Sequence, residues 1–278
     1  MKLIKPSVEI IKQEEYDLNH IFKFIELAGR TCYKSEDKIT ENSAKEFVDR
    51  MIKSGHGAML EHGTVYLTIP NKNVSRSLLI YYCERNPYSK VVWTDTNVYI
   101  TTNYRAIIEN NWNDLLKYIT APTEFHVKRT TVKFICDRGI SHEFVRHRVF
   151  SFAQESTRYC NYTKDKFNNE LTFIIPCWIK DLEEGNYYAY CEYHHAKHDS
   201  SKEWFAVCMN SELIYTNLIE EGWKPQEART ILPNSLKTEL IMTGFDSDWR
   251  HFFKLRCAPN AHPQAKELAD MLKDKFNK

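Results

Sequence analysis

The 278-residue sequence predicts an α+β fold in a single domain, residues 1–278. Three observations carry that expectation. Runs of strand length, rich in β-branched residues, are interspersed with segments whose apolar residues recur at helical spacing. No glycine-rich phosphate loop of the GxGxxG or GxxxxGK type occurs, which argues against Rossmann and P-loop architectures. With 42% hydrophobic and 27% charged residues, and only 8 Gly and 9 Pro, the chain has the means to bury a core and little sign of disorder.

Taken in order, Val8–Ile11 is a short strand. Leu18–Ala28 is a helix with apolar positions 18, 21, 22, 25 and 28, and Gly29 is its expected stop. Ser43–Lys53 is a second helix, with Gly55 just beyond it. Glu61 and His62, a possible polar pair, precede a strand at Thr64–Ile69. The following segment, about 70–124, has regular structure of its own, a strand at Val98–Thr102 and a helix over Tyr104–Tyr118. It is therefore expected to pack on the same domain rather than act as a linker. Its Lys72, Arg76, Arg85 and Lys90 read as scattered surface charge.

Thr130–Cys136 is a strand broken at Asp137-Arg138-Gly139, and Ser141 can cap the helix that carries Glu143 and Arg146. Glu143 and His147, four residues apart, can support that helix on one side. Leu171–Ile175 is another strand, followed by Cys177, expected to be a buried thiol. His194 and His198 are spaced like metal ligands on a helix, but no third ligand is evident, so no metal is expected. Trp204–Leu218 is helical and ends at Gly222, and Pro225 suits the first turn of a short helix. Leu236–Thr243 is a strand. Asp246 or Ser247 caps a helix running through Trp249, His251, Phe252, Leu255 and Arg256, and Gln264–Phe276 is an amphipathic helix.

Net charge of +1 provides no global attraction to nucleic acid or membrane, so any anion site must be local. Eight cysteines without a CxxC pair, no signal peptide and no apolar run of membrane-spanning length predict reduced thiols and a cytoplasmic protein. The local site is Ile140–Tyr159. There Arg146, His147 and Arg148 are consecutive, and Gln154, Ser156 and Arg158 follow an aromatic run. Adjacent residues on a helix point to different sides, so three basic neighbours serve different partners. Arginine forks match phosphate or carboxylate, while Ser and Gln can read a base or ribose. A nucleotide bound where a helix gives way to a loop fits this combination. A solvated basic cluster and a non-catalytic nucleotide- or RNA-binding protein are the alternatives, as is a flavin oxidoreductase with another substrate.

Arg-His-Arg, seven residues, then Ser (146–148 and 156) resembles the signature of the flavin-dependent thymidylate synthases. Flanking resemblances are Gly55-His56, Leu60-Glu61-His62, Glu227-Ala228-Arg229, Trp249-Arg250-His251-Phe252, Leu255-Arg256 and His262, in the family's order over roughly residues 20–270. The resemblance implies a mainly antiparallel sheet flanked by helices, and methylation of deoxyuridine monophosphate to thymidylate. It implies FAD as cofactor, with methylenetetrahydrofolate and NADPH as cosubstrates, in a homotetramer that binds neither nucleic acid nor membrane. By motif matching, Arg146, His147, Arg148, Gln154, His251, His262 and His56 meet the flavin. Glu143, Arg146, Gln154, Glu155, Ser156, Thr157, Arg158, Arg229 and Arg256 meet the nucleotide, Glu143 and Arg229 from a neighbouring subunit. Arg256 matches the arginine that activates the uracil. Ala58 stands where many members carry a hydroxyl, and His251 replaces a common asparagine.

Overall fold

A computed structural model describes residues 1–73, 78–188 and 196–276. The chain opens with β1 (Lys2–Ile4) and β2 (Ser7–Ile11). Helix α1 (Leu18–Tyr33) is capped by Asp17, whose carboxylate accepts the His20 N–H. It does not stop at Gly29. The missing side chain there instead admits Phe47 of α2 (Ser43–Lys53), since a Cβ on Gly29 would lie 2.4 Å from Phe47 Cζ. The helix ends at Lys34, which takes the left-handed conformation with φ 48°. A short turn, α3 (Gly57–Leu60), leads into β3 (Thr64–Pro70).

The segment after β3 contributes α4 (Leu78–Arg85), β4 (Lys90–Trp93), β5 (Asn97–Asn103) and α5 (Tyr104–Glu109). The helix expected over Tyr104–Tyr118 is broken after Glu109: Asn111 adopts φ 58°, and a 3-10 turn covers Asn113–Tyr118. Strands β3, β5 and β4 form one antiparallel sheet in the order β3-β5-β4. Its inner face shares a core with the first two helices: Ile21, Phe22, Ile25 and Phe47 are buried with Val98, Ile100, Ile107 and Trp112. Arg76 lies outside the described residues. Arg85 sits over the Tyr81 ring and Lys90 over that of Phe245.

The central sheet carries the site. Strands β6 (Arg129–Asp137) and β10 (Lys237–Phe245) pair antiparallel along their full length, Lys237 opposite Asp137 and Phe245 opposite Arg129. β2 flanks β6, and β7 (Ser151–Gln154) flanks β10, giving the order β2-β6-β10-β7. Strand side chains alternate between faces. On one face Val132, Phe134, Cys136, Leu240 and Met242 meet aromatic and aliphatic side chains of three helices. These are α6 (Arg138–Phe144), α9 (Asp246–Arg256) and α10 (Pro263–Phe276). The other face presents Lys237, Glu239, Ile241 and Thr243 towards the first helix and its flanking loops, with Ile241 packed on Ala28 and Ala153.

Two caps differ from expectation. Asp137, not Ser141, caps α6 by accepting the Ile140 N–H at 2.7 Å, while the Ser141 hydroxyl donates to the Arg138 carbonyl. At α9 neither Asp246 nor Ser247 caps. Asp248 accepts the Phe245 N–H, and Asp246 accepts the Thr130 hydroxyl.

A third small sheet joins β8 (Thr172–Ile174), β1 and β9 (Gly185–Asn186), with β1 parallel to β8. Only three residues long, β1 lacks the periodicity that would mark it in the sequence. α7 (Asp199–Glu220) closes at Gly222, φ 95°, and Pro225 opens α8 (Pro225–Ala228). His194 lies outside the described residues. His198, just before α7, is exposed and donates its N–H to Asp181. Cys177 is half-buried rather than buried, and burial raises its pKa. Among the described residues every cysteine is free, and no helix is long and apolar enough to cross a membrane.

Candidate active site

The α6 helix ends at Phe144, so Arg146, His147 and Arg148 occupy the turn beyond it. Glu143 therefore does not support a helix by pairing with His147. Both residues instead converge on Arg256 from the last turn of α9. Its Nε donates to His147 Nε2 at 2.9 Å, Nη1 to Glu143 Oε2 at 2.8 Å and Nη2 to the Glu143 carbonyl at 2.5 Å. A guanidinium only donates, so His147 Nε2 is the acceptor and the ring is the neutral Nδ1–H tautomer. Burial, then the charges of Arg256 and His251, push His147 down to about 4. The hydrogen bond from Arg256 holds the Glu143 carboxylate below its usual range.

Of this triad His147 is buried while Glu143 and Arg256 are half-buried, and the neighbouring cations are exposed. Arg146 reaches Glu143 Oε1 at 3.3 Å with most of its side chain in solvent, and Arg148 is exposed. The His251 ring lies 6.3 Å from that of His147. His262 is close enough to act on the Glu143 charge, and its ring is 6.0 Å from Trp178. Glu143, Arg146, His147, His251, His262 and Arg256 are thus one neighbourhood, made where the ends of α6 and α9 meet the start of α10.

The end of β7 supplies a second group. Gln154 donates to Ser141 Oγ at 2.8 Å and Thr238 Oγ1 at 3.2 Å, tying this strand to α6 and β10. The Ser156 N–H is fixed on the Cys32 carbonyl, and its Oγ accepts the Arg158 N–H. Arg158 and Arg229 are exposed. They reach Gln226 Oε1 at 3.3 Å and Thr157 Oγ1 at 3.4 Å, so Arg229 already touches the motif loop of its own chain.

Glu155 departs from expectation. It is 1% exposed and turned inward, accepting from the Tyr162 hydroxyl and from Lys237 Nζ, so its carboxylate is anchored within the fold. Lys237 also binds Glu239, which pairs with Lys34 and with Lys133. Burial alone would lower Lys237, but Glu155 and Glu239 outweigh it and the net shift is upward. The sequence reading missed Lys237, Glu239 and Tyr162. The available signal was Lys-x-Glu inside an apolar strand, which places two charges on one sheet face.

His56 Nδ1 lies 3.1 Å from the Tyr33 hydroxyl, and the Tyr33 ring is 5.4 Å from that of Tyr159, which sets His56 beside the loop that follows β7. Glu61 and His62 do not pair. Glu61 takes Arg105, while buried His62 meets Thr243 Oγ1 at 2.8 Å.

This scaffold is an antiparallel sheet whose flanking helix ends gather exposed guanidinium groups around a half-buried arginine, Arg256, an arrangement suited to binding a phosphorylated or otherwise anionic ligand. The family described as thymidylate synthase complementing protein matches residues 108–278. The flavin-dependent thymidylate synthase of Pyrococcus furiosus is 30% identical over 202 residues, covering 70% of this chain and 75% of that protein. The enzyme of the same name from Pyrococcus horikoshii is 32% identical over 48% of each chain, and that of Corynebacterium aurimucosum 24% identical over 88% of this chain and 71% of its own. The chain belongs to the flavin-dependent thymidylate synthase family. Among solved structures, the UMP/dUMP methylase PolB of Streptomyces cacaoi bound with 5-Br dUMP aligns with a TM-score of 0.44 and 16% identity, over 99% of this chain and 92% of that one.

Proposed function

We propose that this chain methylates deoxyuridine monophosphate to thymidylate, with FAD as cofactor, methylenetetrahydrofolate as carbon donor and NADPH as reductant. The observation that carries the reading is the convergence of Arg256, Glu143 and His147 beside exposed Arg146 and Arg148, in a chain of this family. The donor set fits a flavin dinucleotide. With no glycine-rich loop, its pyrophosphate must be held by side chains, and Arg146, Arg148 and His251 are exposed donors beside the triad. When bound, the flavin supplies the hydride chemistry of the reaction.

The protein's part is binding and electrostatics. Arg158, Ser156 and Arg229 present a phosphate- and hydroxyl-binding surface at the end of β7. Arg256 is too basic to be an ordinary proton acceptor. Three of its five N–H groups are engaged by Glu143 and His147, which leaves two for a uracil edge. Directed there, they stabilise negative charge developing at N3 and O4 and make C5 a better nucleophile. Neutral His147 orients the guanidinium without adding a second positive charge. Gln154 locks the β7 end to α6, so the two halves of the site are held in one frame.

A homotetramer belongs to this reading because the family's sites are assembled across subunits, and Arg158, Arg229 and His56 are exposed on the single chain. A soluble nucleotide substrate and free cysteines fit a cytoplasmic setting. The test is tritium release from C5-labelled deoxyuridine monophosphate by the flavin-loaded protein. Release that depends on the folate and reductant is expected. A flavin-loaded, reducible protein that releases none would sink the reading in favour of a flavin oxidoreductase of other substrate.

A further inference from the structure

The guanidinium of Arg129, at the start of β6, is held by neutral groups alone. Its Nη1 donates to the Glu61 carbonyl at 3.1 Å and to Thr64 Oγ1 at 3.2 Å, and its Nη2 to Ser151 Oγ at 3.3 Å. The Phe245 ring lies 5.5 Å from its Cζ. Nε is shielded from solvent and has no acceptor among the described residues. The carboxylates that act on it from further off are engaged elsewhere, Glu61 by Arg105 and Asp248 by the Phe245 N–H. Burial pulls its pKa down to about 10, which leaves it charged at neutral pH.

A charge placed this way is unfavourable. Taking a cation out of water without a carboxylate to receive it costs stability, and apolar side chains of similar volume often replace buried charges without loss. Packing therefore does not call for an arginine here. What arginine alone supplies is a planar fork that reaches several acceptors at once. Those acceptors belong to separate parts of the candidate site. Glu61 and Thr64 bracket the turn from α3 into β3, downstream of His56. Ser151 opens β7, three residues after Arg148 and five before Ser156. Phe245, against the guanidinium, ends β10 where α9 departs with His251 and Arg256.

We propose that Arg129 is a positioning residue for the synthase reaction, its fork holding the α3–β3 turn and the start of β7 in one register so that the groups after β7 and those on α9 face each other at a fixed separation. The inference rests on the synthase reading. Arg129 acts through the Ser151 hydroxyl and the Glu61 carbonyl, not on the ligands themselves.

The test compares Arg129→Lys, Arg129→Met and Ser151→Ala in the full-length, flavin-loaded enzyme. Lysine keeps the charge without the fork, and methionine fills the space without charge. Both are expected to keep the urea midpoint of the wild type yet lose kcat by about 10- to 100-fold, the effect of a small misplacement between reacting groups. The KM for deoxyuridine monophosphate stays within about threefold. Ser151→Ala is expected to lose kcat by a smaller factor and to add nothing in the Arg129→Met background, because one contact cannot be lost twice. Recovery of kcat by lysine would show that charge alone matters and overturn the proposal. Multiplicative losses in the double variant would overturn it too, as would losses of kcat that track a lowered urea midpoint. If Arg129→Met does not fold, Arg129→Lys and Ser151→Ala with their own double variant carry the same comparison.

Hydrogen exchange reads the register without turnover and so separates failure of this inference from failure of the synthase reading. The Glu155 and Ser156 amides, bonded to the Glu239 and Cys32 carbonyls, are expected to exchange about tenfold faster in Arg129→Lys, with β5 amides unchanged. Protection equal to that of the wild type overturns the proposal whether or not the chain makes thymidylate.

Discussion

Arg256 is held by one charged and two neutral acceptors, and each matters differently. Glu143 neutralises it, while the Glu143 carbonyl and His147 fix its plane. Lysine at this position keeps the charge but has no fork, so it cannot satisfy these three acceptors and still direct two donors at a uracil. Arg256→Lys is expected to bind flavin and accept electrons from NADPH, yet form thymidylate about 100- to 1000-fold more slowly, with nucleotide affinity much less affected. Near-normal turnover in single-turnover assays would remove Arg256 from its assigned role.

His147 makes a second prediction, of opposite character. Its folded pKa is depressed from 6.5 to about 4 by burial and by the Arg256 and His251 charges. Between those values the unfolded chain binds the proton and the folded chain does not, so stability falls as pH drops from about 6.5 to about 4. The full shift corresponds to at most about 3 kcal/mol. In urea titrations at several pH values, His147→Asn is expected to lose less stability across this window than wild type. Parallel losses in the two proteins would show that His147 does not titrate this way.

At the scale of elements, the fold was legible wherever an element carried an apolar face or a β-branched run. Ser43–Lys53 was read with its observed bounds and α10 within a residue, because one face of each helix is apolar, and β3, β5, β6 and β10 within two residues or so, because each is a short run rich in β-branched and apolar residues. Signals that depend on a partner were not legible. Gly29 reads as a helix stop until Phe47 is seen against it. Alanine there gains helix propensity of about 1 kcal/mol, but its methyl group must displace the Phe47 ring, an overpacking cost of roughly 1–3 kcal/mol. Gly29→Ala is therefore expected to destabilise, and Phe47→Leu in the same chain to relieve part of the loss, measured by denaturant unfolding. Stabilisation by Gly29→Ala alone would mean that the ring moves freely.

The same limit explains Glu155. Sequence spacing placed it in the nucleotide loop, but only tertiary structure shows Tyr162 and Lys237 turning it inward. Lys237→Met leaves Glu155 buried with one hydroxyl partner, while Glu239 keeps Lys34 and Lys133. Removing one member of a buried ion pair costs about 3–5 kcal/mol. Adding Glu155→Gln to Lys237→Met is expected to recover part of that loss. A double variant less stable than Lys237→Met would show that the two side chains are not coupled in this way.

Across the whole molecule, the candidate site was legible as a set of residues but not as a geometry. The motif and its flanking resemblances named Glu143, His147 and Arg256, more than 100 positions apart at the extremes, yet nothing in their spacing showed Arg256 bridging the other two. The 70–124 segment poses the converse question, whether it is an independent unit or part of the main body. Its Ile107 and Trp112 are buried in the core that contains Ile21, Ile25 and Phe47, and Arg105 pairs with Glu61 ahead of β3. β3 itself is bound along its length by β5 from this segment. Cutting the segment away would expose both surfaces, so it is expected to fold and unfold with the rest of the chain. Trp112→Ala tests this, because a buried Trp lost to Ala costs about 3–5 kcal/mol. One cooperative calorimetric transition at lower temperature is expected, with near-native limited proteolysis releasing no stable 70–124 fragment. A split into two transitions, with only the smaller one moved by the substitution, would instead make the segment a separate folding unit.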